Sequence, residues 1–168
     1  MKTITKISAL LASTLSVVMP THAYANLVIT EYVEGSGNNK AIELSNLSNT
    51  TIDLAQQNYK LALYANGATS ASSSQVLTGI LAPNQSLVLY NANATEEFKL
   101  PAPTGVASSV TSFNGDDTLL LFQGSVVVDS FGKLGHDPGT AWTRKSFSSQ
   151  NQTLRRKAST LSGDAAYS

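Results

Sequence analysis

The chain has 168 residues, with 11 Lys and Arg against 11 Asp and Glu, two histidines and no cysteine. The lack of cysteine excludes disulfide frameworks and thiolate chemistry, and a charged fraction of 13%, near half the usual share, leaves a surface dominated by hydroxyls and amides. The charge is also segregated: residues 26 to 132 hold three lysines against nine acids, a net of −6, whereas residues 133 to 157 hold six basic residues against Asp137, a net of +5.

Residues 1 to 25 have the three-part layout of a secretory signal. Lys2 and Lys6 precede the apolar run Ile7 to Val18, and Ala23-Tyr24-Ala25 supplies small residues for a signal peptidase. The run is 12 residues long, short of the roughly 20 needed to cross a bilayer as a helix. A signal peptide over 1–25 and one domain over 26–168 are therefore predicted, with Asn26 as the mature N-terminus. No later stretch is apolar enough to span a membrane, so the processed chain is expected to be exported to the medium, the periplasm or the cell surface.

Downstream, apolar residues alternate in short bursts: LVITEYV (27–33), AIELSN (41–46), YKLALYA (59–65), SQVLTGI (74–80), QSLVLYN (85–91), DTLLLFQ (117–123), SVVVDSF (125–131), TAWTRK (140–145) and QTLRRK (152–157). Each is bounded by Gly, Asn, Pro or Ser, and none extends into a helical period. Many short strands with regular turn signals predict an all-β sandwich or barrel. Gly, Ser, Asn and Pro fill the loops 35–39, 66–74 and 101–109.

The segment FNGDDTLLLFQGSVVVDSFG (113–132) is the most informative. Gln123-Gly124 between two apolar runs predicts a hairpin over 117–131. Asn114-Gly115 is a turn dipeptide, and an aspartate just after it is suited to accept hydrogen bonds from backbone N–H groups of its own loop. Asp116 and Asp117 are therefore read as turn carboxylates. Their alternative is a calcium site, which needs six to eight oxygen ligands and has no such spacing here.

His136, the one histidine after the leader, lies beside the turn Asp137-Pro138-Gly139 and is expected at the surface. No GxSxG, HExxH, phosphate-loop or dinucleotide motif is present, so no catalytic role and no cofactor are expected for this chain. Glu31 and Glu43 are read as strand-face or bracing carboxylates. Tyr32, Tyr64, Tyr90, Phe113, Phe122, Phe131 and Trp142 are read chiefly as packing residues, with a stacking platform as the alternative.

Four stretches, EYVEGSGNNKAIELSN (31–46), LAPNQSLVLYN (81–91), FNGDDTLLLFQGSVVVDSFGKLGHDPGTAW (113–142) and SSQNQTLRRK (148–157), together resemble the bacterial lamin-tail domain. They are most like the copy at the N-terminus of secreted nucleases of the endonuclease/exonuclease/phosphatase class. The resemblance implies an immunoglobulin-like β-sandwich without an active site, whose chemistry resides in a separate downstream nuclease domain. Similar proteins continue past the TLRRK-like strand into an acidic and aromatic stretch. This chain ends at SGDAAYS, so it is read either as a truncated piece of a longer nuclease or as a stand-alone domain that manages without that segment, and a missing last strand would leave a sheet edge open.

The basic end gives the site candidates: Lys133, Arg144, Lys145, Arg155, Arg156 and Lys157 are a candidate DNA-binding set. Strand alternation argues against a single-faced patch, because one of each adjacent pair is turned inward or across the edge. Two functional readings follow. One is a non-catalytic accessory module of an exported nuclease, positioning it on DNA or the cell surface. The other is a stand-alone secreted interaction or structural domain with a protein or polysaccharide partner.

Overall fold

The computed structural model describes residues 27–99, 101 and 104–167; the predicted leader and cleavage site lie outside them. In chain order the strands are β1 (Leu27–Glu34), β2 (Lys40–Asn46), β3 (Ile52–Asp53), β4 (Tyr59–Tyr64), β5 (Ser73–Val76), β6 (Ile80–Leu81) and β7 (Ser86–Tyr90). A short helix α1 (Glu96–Lys99), β8 (Val106–Ala107) and a 3-10 turn (Ser109–Thr111) follow. The chain then runs through β9 (Thr118–Gln123), β10 (Val126–Phe131), β11 (Thr143–Arg144), β12 (Phe147–Ser148) and β13 (Thr153–Arg155).

One sheet has the order β13-β1-β2-β7-β8 and the other β10-β9-β4-β5, with β11–β12 and β3–β6 as small separate pairs. All pairings are antiparallel except β7 with β8. The core lies between the two sheets: Leu27, Ile29, Ile42, Leu44 and Leu89 of the first face Tyr59, Leu61, Leu63, Leu119 and Leu121 of the second in one apolar cluster. Tyr32 joins the layers by stacking on Phe131 at 4.2 Å and Phe113 at 4.7 Å. The result is an immunoglobulin-like β-sandwich, as expected.

Two β-bulges decide which side chains face in. In β1 the register slips between Ile29 and Glu31, leaving Thr30 extra. Leu27, Ile29 and then Tyr32 thereby all point inward, while Glu31 turns outward, which strict alternation forbids. In β10 a slip between Val127 and Asp129 buries the Asp129 side chain completely. The two irregularities meet, because the Ile29 amide donates to Asp129 Oδ2 at 2.7 Å.

The predicted hairpin over 117–131 is present, with Gln123 opposite Val126 and Gly124 at φ +60 in the turn. Two expected strands differ. SQVLTGI divides into β5, which pairs with β4, and β6, which pairs with β3, because the chain swings at Gly79 (φ +104) to bury Leu77 between them. TAWTRK retains only Thr143–Arg144 as strand, since Trp142 is held by the turn before β9. The loop 101–109 contains β8, which adds to the first sheet beside β7.

The outer edge of β10 is lined by the end of the chain. Asp164 N donates to Asp129 Oδ1 at 2.8 Å, Ser130 Oγ to the Asp164 carbonyl at 2.8 Å, and Leu134 N to the Tyr167 carbonyl at 2.8 Å. Gly163 permits this approach, because a Cβ there would collide with the Val128 carbonyl. An irregular tail thus lies along an edge strand that pairs on its other side with β9.

Candidate functional site

Asp117 is nearly fully buried and both of its oxygens are taken by backbone donors, Asn66 N to Oδ1 and Asn114 N to Oδ2, each at 2.8 Å. It therefore braces its own turn, as expected, and also pins the loop after β4. Burial pushes its pKa up, and the amides of Asn114 and Asn66 pull against that shift. Asp116 is buried beside it. Burial, reinforced by the negative charges of Glu34, Asp117 and Asp116, drives the pKa of the Tyr32 phenol far upward. Among the described residues, no group of three or more His, Asp or Glu side chains is placed to hold a metal ion.

The same turn is the anchor of the β11–β12 hairpin. Trp142 Nε1 donates to the Asp117 carbonyl at 2.8 Å and Trp142 N to the Gly115 carbonyl at 3.1 Å. Ser149 N returns a bond to the Trp142 carbonyl at 3.1 Å, and buried Ser149 Oγ donates to the Gly115 carbonyl. Glycine is required at two positions to admit this docking. A Cβ on Gly115 would sit 2.9 Å from the Thr140 carbonyl oxygen, and one on Gly132 (φ +86) would lie 2.8 Å from the Trp142 ring. His136 is exposed and packs against Trp142 with ring centroids 5.7 Å apart.

The six basic candidates divide into two groups. Lys133, Arg144, Lys145 and Lys157 are exposed and form no ion pair among the described residues. Arg155 is exposed but pairs through Nε with Glu31 at 2.9 Å. Arg156 points the other way, as alternation requires, and its guanidinium is bound inside the molecule. Its Nε donates to the Ile29 carbonyl at 2.7 Å, and its terminal nitrogen donates to Asp129 and, at 3.3 Å, to the Ser130 carbonyl. Asp129 also accepts from the Ile29, Ser130 and Asp164 amides. Burial raises the Asp129 pKa, while Arg156 and these amides lower it.

Glu31 and Glu43 are cross-strand neighbours on the outer face of the first sheet. Glu43 accepts from Thr30 Oγ1 at 2.6 Å, so both carboxylates have local partners. They border a groove of about 480 Å³ whose walls include Val33, Val88, Tyr90 and the α1 helix.

Of the candidate aromatic residues, Tyr32 and Phe113 are core, and Tyr64, Tyr90, Phe122, Phe131 and Trp142 are half-buried. Phe147, which is not among the sequence candidates, is 66% exposed at the start of β12 and directly opposite Arg144. The usable signal was its place in RKSF, an aromatic between a basic pair and a polar run.

In comparison with known proteins, the family model described as Lamin Tail Domain matches residues 20–134. β11, β12 and β13 lie beyond the matched region. No curated protein matches the sequence.

Proposed function

The chain belongs to the lamin tail domain family, whose fold is a non-catalytic, immunoglobulin-like binding module, and from this premise we propose that it is the accessory module of an exported nuclease and holds that enzyme on DNA. The observation that carries the reading is the set of exposed cations Lys133, Arg144, Lys145 and Lys157, none of which has an acidic partner among the described residues. Cations of this kind contact phosphates without reading sequence, and their contribution is electrostatic and salt-dependent. The body of the domain carries net negative charge, so contact is confined to the basic end and is weak. The module supplies attachment, and cleavage belongs to a metal-dependent domain joined to it. Export through the N-terminal signal places the pair outside the cytoplasm.

A second reading, a secreted interaction domain, is favoured by the groove on the outer face of the first sheet. Its combination of Tyr90, Val33 and Val88 with Glu31, Glu43 and Arg155 suits a neutral polysaccharide or a protein segment. Incubation of the purified chain with linear duplex DNA in magnesium, manganese or calcium tests the first reading. The expected result is retarded but uncut DNA at low salt. Cleavage that survives repurification and is lost in His136→Ala contradicts it, and so does unretarded DNA, which transfers the assignment to the outer-face groove.

A further inference from the structure

Phe147 is the one Phe, Tyr or Trp side chain among the described residues that stands exposed. Large apolar rings leave water when the fold can bury them, and this one is held out at the end of a hairpin. Its surroundings are specific. Arg144 is its cross-strand partner. Lys145 occupies the turn at φ +55, a left-handed conformation that a long side chain rarely adopts. A groove of about 340 Å³ runs between the hairpin and β13; Leu154 and Phe147 give it apolar surface, Ser146, Ser148, Gln152 and Thr153 give it hydroxyl and amide groups, and no carboxylate lines it. The hairpin is not a loose arm, because Trp142 and Ser149 fasten its base to the turn at Gly115 and Asp117.

We propose that this hairpin is a contact for single-stranded nucleic acid, in which an unpaired base stacks on Phe147 while the flanking phosphates meet Arg144 and Lys145. The proposal rests on the DNA-holding reading above and specifies which form of DNA is held. An aromatic ring beside cations, with hydroxyl and amide groups in the adjoining groove, is the combination that binds single strands with little sequence preference. In a duplex the base faces are covered by their neighbours, so a ring at a hairpin tip has nothing to stack on. A bilayer surface is the other anionic partner of a basic tip, but an interfacial anchor needs several apolar side chains together. Here the other exposed large apolar residues, Val76, Ile80, Val106, Val126 and Leu161, lie on other elements. The hairpin also lies outside the stretch that the family model covers.

The test is an anisotropy titration of the full processed chain with a labelled oligothymidylate and a duplex of equal length, at low salt. Phe147→Leu should weaken oligothymidylate binding about 5-fold or more and leave duplex binding unchanged. Arg144→Gln with Lys145→Gln should weaken both. Phe147→Trp should retain binding and show quenching of the new indole emission as the oligonucleotide is added. Equal binding of the oligonucleotide by wild type and Phe147→Leu overturns the proposal while duplex binding keeps the accessory-module reading intact. Failure of both DNA forms to bind removes that reading and this one together. Co-sedimentation with phosphatidylglycerol-containing vesicles that depends on Phe147, with no Phe147 dependence for the oligonucleotide, also overturns it and assigns the tip to membranes. Phe147 is at the surface, so unchanged circular dichroism of each variant is expected and verifies the fold.

Discussion

Replacing Arg156 with alanine should injure the fold far more than replacing its neighbour Arg155, although the two are adjacent and equally basic. Arg156 is the sole cationic partner of Asp129 among the described residues, and Asp129 is completely buried. The substitution removes that ion pair and the bonds to the Ile29 and Ser130 carbonyls, which tie the tail after β13 to β1 and β10. Breaking a buried pair by removing one member costs about 3–5 kcal/mol, because the remaining charge stays desolvated. Three backbone amides still point at Asp129, which favours the lower half of that range. For a domain of this size, with roughly 3 °C per kcal/mol, the midpoint of thermal unfolding should fall by about 10 °C. The loss should shrink at acid pH, where protonated Asp129 no longer buries a charge. Arg155→Ala, which breaks only a pair between an exposed guanidinium and Glu31, should leave the midpoint nearly unchanged. Differential scanning calorimetry of both variants over a pH series decides the matter. Equal midpoints for the two, or a loss from Arg156→Ala that grows on acidification, would show that the Arg156–Asp129 pair does not hold this junction together.

Asp117→Ala should cost about 1–3 kcal/mol, because two amides from different loops lose a charged acceptor. Added calcium should leave the melting temperature of the wild type unchanged, and a large calcium-dependent rise abolished by the substitution would establish a metal site instead. Burial raises the folded-state pKa of both Asp117 and Asp129 above the ordinary 3.8. The folded chain then retains protons that the unfolded chain releases just above that value, so this part of the stability is complete below it and is lost as pH rises through the raised values. Denaturant midpoints measured upward from about pH 4 should decline accordingly, and a steady rise would contradict the shifts. The exported protein should begin at Asn26, one residue before β1, and N-terminal sequencing or intact mass of secreted material checks this.

The strands were readable wherever one face meets the core and turn residues close both ends, as in LVITEYV, AIELSN and the hairpin at Gln123-Gly124. Their facing was less readable, because the bulges after Ile29 and Val127 change the phase of alternation and leave no mark in composition. Asp129 is a buried junction that nothing in VVVDSF marks as such. The division of 74–80 between two sheets was hidden as well. It depends on Leu77 being drawn into the core from what otherwise looks like one continuous strand. Among the candidate site residues, alternation set Arg155 apart from Arg156 but failed for Arg144 and Lys145, which are both exposed because Lys145 leaves the strand for the turn at φ +55, and no local pattern identifies the Asp129 partner 27 residues away. Phe147 was overlooked because its burial is decided by the docking of Trp142 and Ser149 on the distant Gly115 turn.

In the proposed function, exposed cations at the basic end hold nucleic-acid phosphates. Its most direct test is the salt dependence of duplex binding by the processed chain, measured beside an Arg144→Ala, Lys145→Ala, Lys157→Ala variant whose substitutions all lie at exposed, unpaired positions. With about three phosphate contacts, the plot of log affinity against log salt should have a slope near −3, at roughly −0.9 per contact, and binding no tighter than micromolar. The variant, which retains Lys133, should bind more weakly with a slope of about −1 or shallower. No binding at low salt, or identical affinity and slope for the two proteins, would contradict the claim.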